Sequence, residues 1–108
     1  MVFKASVLYP NDEDITFDVD YYINKHFKIV EEIWNKHGLQ SWDVVKFSDG
    51  ALGHRPAFLI QATLVFSDEA AVKAALADAG AAAIFGDVPN FTNKQPILLS
   101  GGIVGKSS

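Results

Sequence analysis

The chain holds three histidines, and His26 is the one whose setting suits proton chemistry. Projected at about 100° per residue on a helix starting near Asp18, Val19, Tyr22, Ile33 and His37 fall in a narrow arc around it. Asn24, Lys28, Glu31 and Asn35 fall opposite. A histidine on an apolar helix face is ordinarily a core residue bonded to a carbonyl. With an intrinsic pKa of about 6.5, it serves equally as acid, base or neutral hydrogen-bonder once burial or a carboxylate tunes it. His37 shares the inner face but ends the helix, where the dipole favours it. His26 and His37 are too far apart along one axis to chelate one ion, so no metal site is expected. His54-Arg55 falls in a loop suited to a lid or a carboxylate contact, although a solvated loop is the simpler reading.

Composition narrows the chemistry. The 108 residues suit one domain spanning 1–108, small enough for oligomerisation to add useful burial. With 49% hydrophobic and 20% charged residues, the chain belongs with globular proteins rather than disordered ones. A net charge of −4 and no Lys/Arg run argue against nucleic acid as a partner. The absence of cysteine removes disulfides, thiolate nucleophiles and Cys-ligated metals. No apolar run approaches a membrane span and no basic-then-apolar leader opens the chain, so a cytoplasmic location away from membranes is the expectation. Two motif matches carry no weight. Gly101-Gly102-Ile103-Val104-Gly105-Lys106-Ser107 is one residue short of a phosphate loop and has no helix pattern after it. Asn90-Phe91-Thr92 is a formal sequon without a secretion signal.

The elements that must position these residues follow from alternating periods. Val2–Tyr9 alternates as a strand, and the acidic stretch Asp12–Asp14 reads as a loop. Asp18 is a suitable N-cap for the His26 helix, which His37-Gly38 closes with a left-handed glycine. Leu39–Phe47 predicts a second strand, residues 48–56 a hairpin-type loop, and Ala57–Phe66 a central strand with Phe58, Ile60, Ala62, Leu64 and Phe66 on its buried face. Ser67-Asp68-Glu69 caps an alanine-rich helix to Ala79, and Ala81–Phe85 adds a helical turn. The loop 86–93 leads to a last strand from Gln95 to about Val104, with Gly101 and Gly102 suggesting a bulge or close backbone approach.

The order is strand, helix, strand, strand, helix, strand. It predicts an α+β, ferredoxin-like βαββαβ plait with a four-stranded antiparallel sheet and both helices on one face. The other face combines Leu8, Trp42 or Val45, Leu59, Val65 and Leu98 with Lys4, Ser6, Gln61, Thr63 and Ser100. Helices on one side cannot cover it. Pairing two sheets as a homodimeric α+β barrel would.

Three segments resemble the EthD domain family. They are Ser6-Val7-Leu8-Tyr9-Pro10-Asn11; Phe17-Asp18-Val19-Asp20-Tyr21-Tyr22 followed by Lys25-His26; and Asp87-Val88-Pro89-Asn90-Phe91-Thr92 with Pro96 behind it. The resemblance runs from Val2 to Val104 in order and spacing, and departs at Phe27-Lys28, where the family has an apolar residue and proline. It implies the dimeric α+β barrel superfamily, whose members with assigned chemistry include polyketide cyclases, dehydratases, decarboxylases, muconolactone isomerases and cofactor-free or haem-handling oxygenases. Carried over by position, His26 is the histidine of the family's Tyr-Tyr…Lys-His motif and the candidate general acid/base.

Cyclisation, dehydration or decarboxylation of a polyketide-like molecule requires proton transfer at an acidic carbon and stabilisation of an enolate. A histidine in an apolar pocket supplies the first, for roughly 10²–10⁴-fold. Tyr9, Tyr22, Asn90 and Thr92 are candidate donors for the second, since Tyr9 ends the first strand beside the loop into the last. In the plain reading the tyrosines pack and Asn90 and Thr92 form turns. Asp87 either orients the imidazole or caps the turn through Pro89. Phe91, with Trp34, Trp42, Phe47, Phe58, Phe66 and Phe85, supplies aromatic surface, most of it core. The expected function is a cofactor-independent lyase, cyclase or isomerase acting on a small hydrophobic aromatic, lactone or polyketide-derived substrate. A small-molecule carrier and a haem-handling or cofactor-free oxygenase are the alternatives, and a filled structural dimer is the third class.

Overall fold

In a computed structural model, residues 2–50 and 52–107 are described. Met1, Ala51 of the hairpin-type loop and Ser108 of the tail lie outside the described residues. Strand β1 (Phe3–Pro10) leads through residues 11–18 to α1 (Val19–Tyr21), a π turn (Tyr22–His26), α2 (Phe27–Trp34) and a 3-10 turn (Asn35–His37). Then come β2 (Leu39–Lys46), β3 (Phe58–Phe66), α3 (Glu69–Ala77), α4 (Ala81–Gly86), a 3-10 turn (Val88–Asn90) and β4 (Ile97–Gly102). The sheet order β2-β3-β1-β4, antiparallel throughout, is the ferredoxin-like plait.

Caps define where the helices begin. The Asp18 carboxylate accepts the Tyr21 N–H at 3.0 Å, and Asp68 does the same for Ala71 at 2.8 Å, satisfying N–H groups a helix start leaves unpaired. Gly38 ends the helical stretch at φ +91°, where a Cβ would meet the Ser67 hydroxyl at 2.7 Å. Trp34 on α2 donates its indole N–H to the Ala75 carbonyl of α3 at 2.9 Å and so joins the two helical layers.

The inner sheet face holds the core. Tyr9 pairs with Ile60, Val7 with Ala62, and Ala5 with Leu64, and Tyr9, Ala5, Ile60, Ala62, Leu64 and Phe66 are buried beneath the helices. The buried stripe of residues 19–37 differs from the regular projection. Tyr22 and His26 are buried as expected, but the stripe continues through Phe27, Val30 and Trp34, with Ile33 and His37 only half-buried. The π turn adds a residue to one turn, which rotates everything after it toward the core by one position.

Register corrects the outer face as well. Val45 lies opposite Gln61, Leu8 opposite Gln61 and Ile97, and Ser6 opposite Thr63 and Leu99. Trp42, Leu98 and Ser100 instead pair with Leu64, Val7 and Ala5 and face the helices. Gly101 and Gly102 pair regularly with Lys4 and Phe3, so no bulge occurs there; the register shifts fall at Tyr9/Pro10 and Leu39/Ser41.

Candidate functional site

The two segments that meet at the site come from opposite ends of the chain. The Asp18 N–H donates to the Phe91 carbonyl at 2.8 Å, and Phe17 forms an isolated antiparallel bridge with Thr92. These contacts lay the π turn beside the connection from α4 to β4. The result is a buried pair: His26 Nδ1 lies 2.9 Å from Asp87 Oδ2, with His26 4% and Asp87 7% exposed. Oδ1 of the same carboxylate accepts the Tyr21 hydroxyl at 2.7 Å and the Asn90 side-chain amide at 2.8 Å.

Electrostatics set the protonation of this pair. Burial lowers the His26 pKa below its ordinary value, and the Asp87 hydrogen bond and charge only partly oppose it. Burial pushes the Asp87 carboxyl up, but hydrogen bonds from Asn90, His26 and Tyr21 outweigh this and leave it below the usual carboxylate range. Near neutral pH the pair is therefore a carboxylate and a neutral imidazole. The carboxylate only accepts, so Nδ1 carries the ring proton and Nε2 keeps its lone pair.

His26 borders an apolar space. A cavity of about 30 Å³ is walled by His26, Tyr9, Tyr22, Val30 and Trp34, among others, and Asp87 is not part of the wall. Phe85 of α4, Pro96 and Leu98 of β4 also line it. An adjoining cavity of about 260 Å³ between α3 and the sheet shares Val7, Trp34, Leu64 and Leu98 with it. The space beside His26 has room for one or two waters, too small for a porphyrin.

The other residues singled out by sequence divide by position. Tyr22 stacks on His26 at 5.2 Å between centroids and 15° between planes, and the Tyr9 ring meets Tyr22 edge-on at 5.8 Å. Burial pushes both phenols well above their ordinary range, so they remain hydrogen-bond donors. Phe91 is a wall for the pair rather than for the cavity, 4.7 Å from His26 and 4.8 Å from Tyr22. Asn90 binds Asp87. Thr92 is buried away from both, its hydroxyl accepting the Lys94 N–H at 3.4 Å. His37 is paired with Asp78 at 2.7 Å, which adds a charged partner to the dipole reading. His54 is exposed, and Arg55 donates to the Asn11 carbonyl at 2.8 Å, tying the loop to the end of β1.

No family model and no curated protein sequence matches the chain. Solved structures do. An EthD-like protein of Ralstonia eutropha JMP134 is 28% identical, covers 99% of this chain and 96% of its own, and superposes with a TM-score of 0.85. The chain is similar to this EthD-like protein over nearly its whole length. An EthD family protein of Bacillus halodurans C-125, 21% identical over 96% of this chain and 100% of its own, shares the fold at a TM-score of 0.73. So does a hydroxynitrile lyase of Passiflora edulis, at 11% identity, 99% and 96% coverage and a TM-score of 0.66.

Within this chain, sequence reasoning passed over Tyr21. The 100° projection turns it away from His26, and the π turn that brings it back has no local signature such as a proline or glycine. Its one sequence signal was its place in the Tyr-Tyr pair of the EthD-like motif.

Proposed function

We propose that the protein is a cofactor-independent enzyme in which His26 acts as a general base on a small hydrophobic substrate. The observation that carries this reading is a buried imidazole whose Nδ1 is held by a carboxylate and whose ring borders an apolar cavity, which leaves Nε2 as the proposed base. That geometry suits removal of a proton from a carbon next to a carbonyl. Tyr9 and Tyr22 are the donors for the oxyanion that develops. The imidazolium, stabilised by Asp87, then returns the proton to the product or to a leaving hydroxyl. Cyclisation and dehydration of an aromatic, lactone or polyketide-derived molecule share this first step, whereas decarboxylation reaches the same enolate by loss of carbon dioxide and then needs a proton delivered to carbon.

The size of the space bears on the substrate. The arm at His26 takes only a carbonyl-sized group, and the 260 Å³ cavity takes the apolar body. The proposed working form is a homodimer joined through the outer sheet face, where Val45, Ile97 and Leu99 are 45%, 48% and 58% exposed. The neighbours named above support a fold that hosts enzymes, one of them a lyase.

The test is turnover of a library of lactones and aromatic polyketides, followed by mass spectrometry, in wild type, His26→Ala and His26→Gln. A product mass lower by water or carbon dioxide that falls by roughly 10²–10⁴-fold in both variants is the expected result. Equal turnover in all three proteins removes His26 from the chemistry, and binding without conversion supports a carrier.

A further inference from the structure

The π turn changes which side chains Asp87 can hold. In an α-helix, residues 21 and 26 leave the axis about 140° apart, so both cannot reach one carboxylate. A π turn closes i→i+5 hydrogen bonds, here from the Phe27 N–H to the Tyr22 carbonyl, and places residues five apart on one face. Tyr21 and His26 thereby meet Asp87 from the same side, on its two different oxygens. The Tyr21 ring is itself fixed. It stacks on Phe91 at 6.2 Å and 27°, and the Lys25 ammonium lies 5.6 Å from its centroid.

We propose that Tyr21 is a positioning residue: by occupying Asp87 Oδ1 it turns Oδ2 to His26, fixes the Nδ1–H tautomer and so leaves Nε2 as the base. The proposal rests on the reading of His26 as base. Tyr21 does not line the cavity, and its hydrogen-bonded route to His26 runs through Asp87. Asn90 bonds to the same oxygen from an exposed side chain, whereas Tyr21 is half-buried and its ring packs on Phe91.

The test needs no substrate. The ring nitrogens of His26 are followed by ¹⁵N NMR from pH 4 to pH 8 in wild type, Tyr21→Phe and Asp87→Asn. The titratable groups facing the imidazole are Asp87 from the connection after α4, Tyr9 from β1 and Tyr22 from its own turn, and both tyrosines stay neutral over this range. In wild type, one ring nitrogen should show the shift of a protonated site and the other that of a bare one. Tyr21→Phe removes one oxygen and a competing donor. With Oδ2 no longer aimed at Nδ1, the two ring shifts should converge toward a tautomer mixture, and the midpoint should fall, because the imidazolium loses part of its hold on the carboxylate. Asp87→Asn removes the charge, so its midpoint should fall below wild type.

Ring shifts and a midpoint unchanged by Tyr21→Phe overturn the proposal. A convergence of shifts with no change in the thermal midpoint supports it, since a merely structural tyrosine would alter stability and leave the tautomer alone. Should Tyr21→Phe not fold, the same spectra of Asn90→Ala decide. A tautomer mixture there assigns the control of Oδ1 to Asn90 and overturns the role of Tyr21; a single Nδ1–H tautomer upholds it. Retained turnover in His26→Gln would sink the base assignment without moving these shifts, so the two ideas fail separately.

Discussion

At His26, desolvation and the Asp87 carboxylate pull in opposite directions and desolvation prevails, which makes the proposed base a pH-dependent element of stability as well. Unfolding returns the imidazole to its ordinary value of about 6.5. Between the lower folded value and that figure, the unfolded chain binds more protons, so stability rises with pH and is lost as pH falls through the window. Asp87 contributes at lower pH. Its folded value lies below the ordinary one, so the stability it supplies is present above the unfolded value and disappears as pH falls through the folded one. Urea midpoints measured between pH 5 and pH 7 should therefore rise with pH more steeply in wild type than in His26→Gln. Parallel profiles for the two proteins would contradict a depressed His26. His26 was legible from its place on an apolar helix face, whereas Asp87 read either as its partner or, more simply, as a turn cap, and only the pairing of residues 17–18 with 91–92 brings it to His26. Tyr21 was not legible, since it reaches Asp87 only through the π turn, which a fixed helical period does not contain; Asn90 reaches the same carboxylate from the 3-10 turn that follows it.

Among the elements, Gly38 links local conformation to the packing of the site-bearing helices. Its positive φ ends the 3-10 turn, its carbonyl accepts the Ser67 N–H at 3.1 Å, and its missing Cβ leaves room for Ser67 and Ala71. Gly38→Ala should cost about 1–2 kcal/mol from the left-handed backbone alone. It should lower the thermal midpoint by at least about 5 °C, read by circular dichroism. A midpoint within a degree of wild type would show that the turn relaxes without cost. Strand positions in β1 and β3 were readable because strict alternation fixes which residues face the helices. The β4 face was not. Its run Ile97-Leu98-Leu99 has no alternation, so only pairing with β1 decides that Leu98 faces in and its two neighbours face out.

At the scale of the whole molecule, the proposed dimer depends on the outer sheet face. The exposed apolar side chains of Val45, Ile97 and Leu99 share it with Gln61, Thr63 and Ser6. Leu99→Asp, at the most exposed of the three, should shift the protein from dimer to monomer in sedimentation velocity while leaving its circular dichroism unchanged. A wild type that sediments as a monomer at micromolar concentration would remove the sheet-to-sheet dimer. The plait itself was legible because element order and period restrict the topologies to a few.

The His26–Asp87 contact spans 61 positions of sequence, and its two halves are joined by the Asp18–Phe91 and Phe17–Thr92 pairings. During synthesis, the helical stretch 19–37, β2 and β3 are complete before Asp87 has been made. A nascent chain ending before that residue holds His26 without its carboxylate. Formation of the pair therefore reports on closure of long-range contacts, which are slow to form. In refolding experiments, the ring-nitrogen signature of His26 should appear with the last kinetic phase, after helix signal has returned.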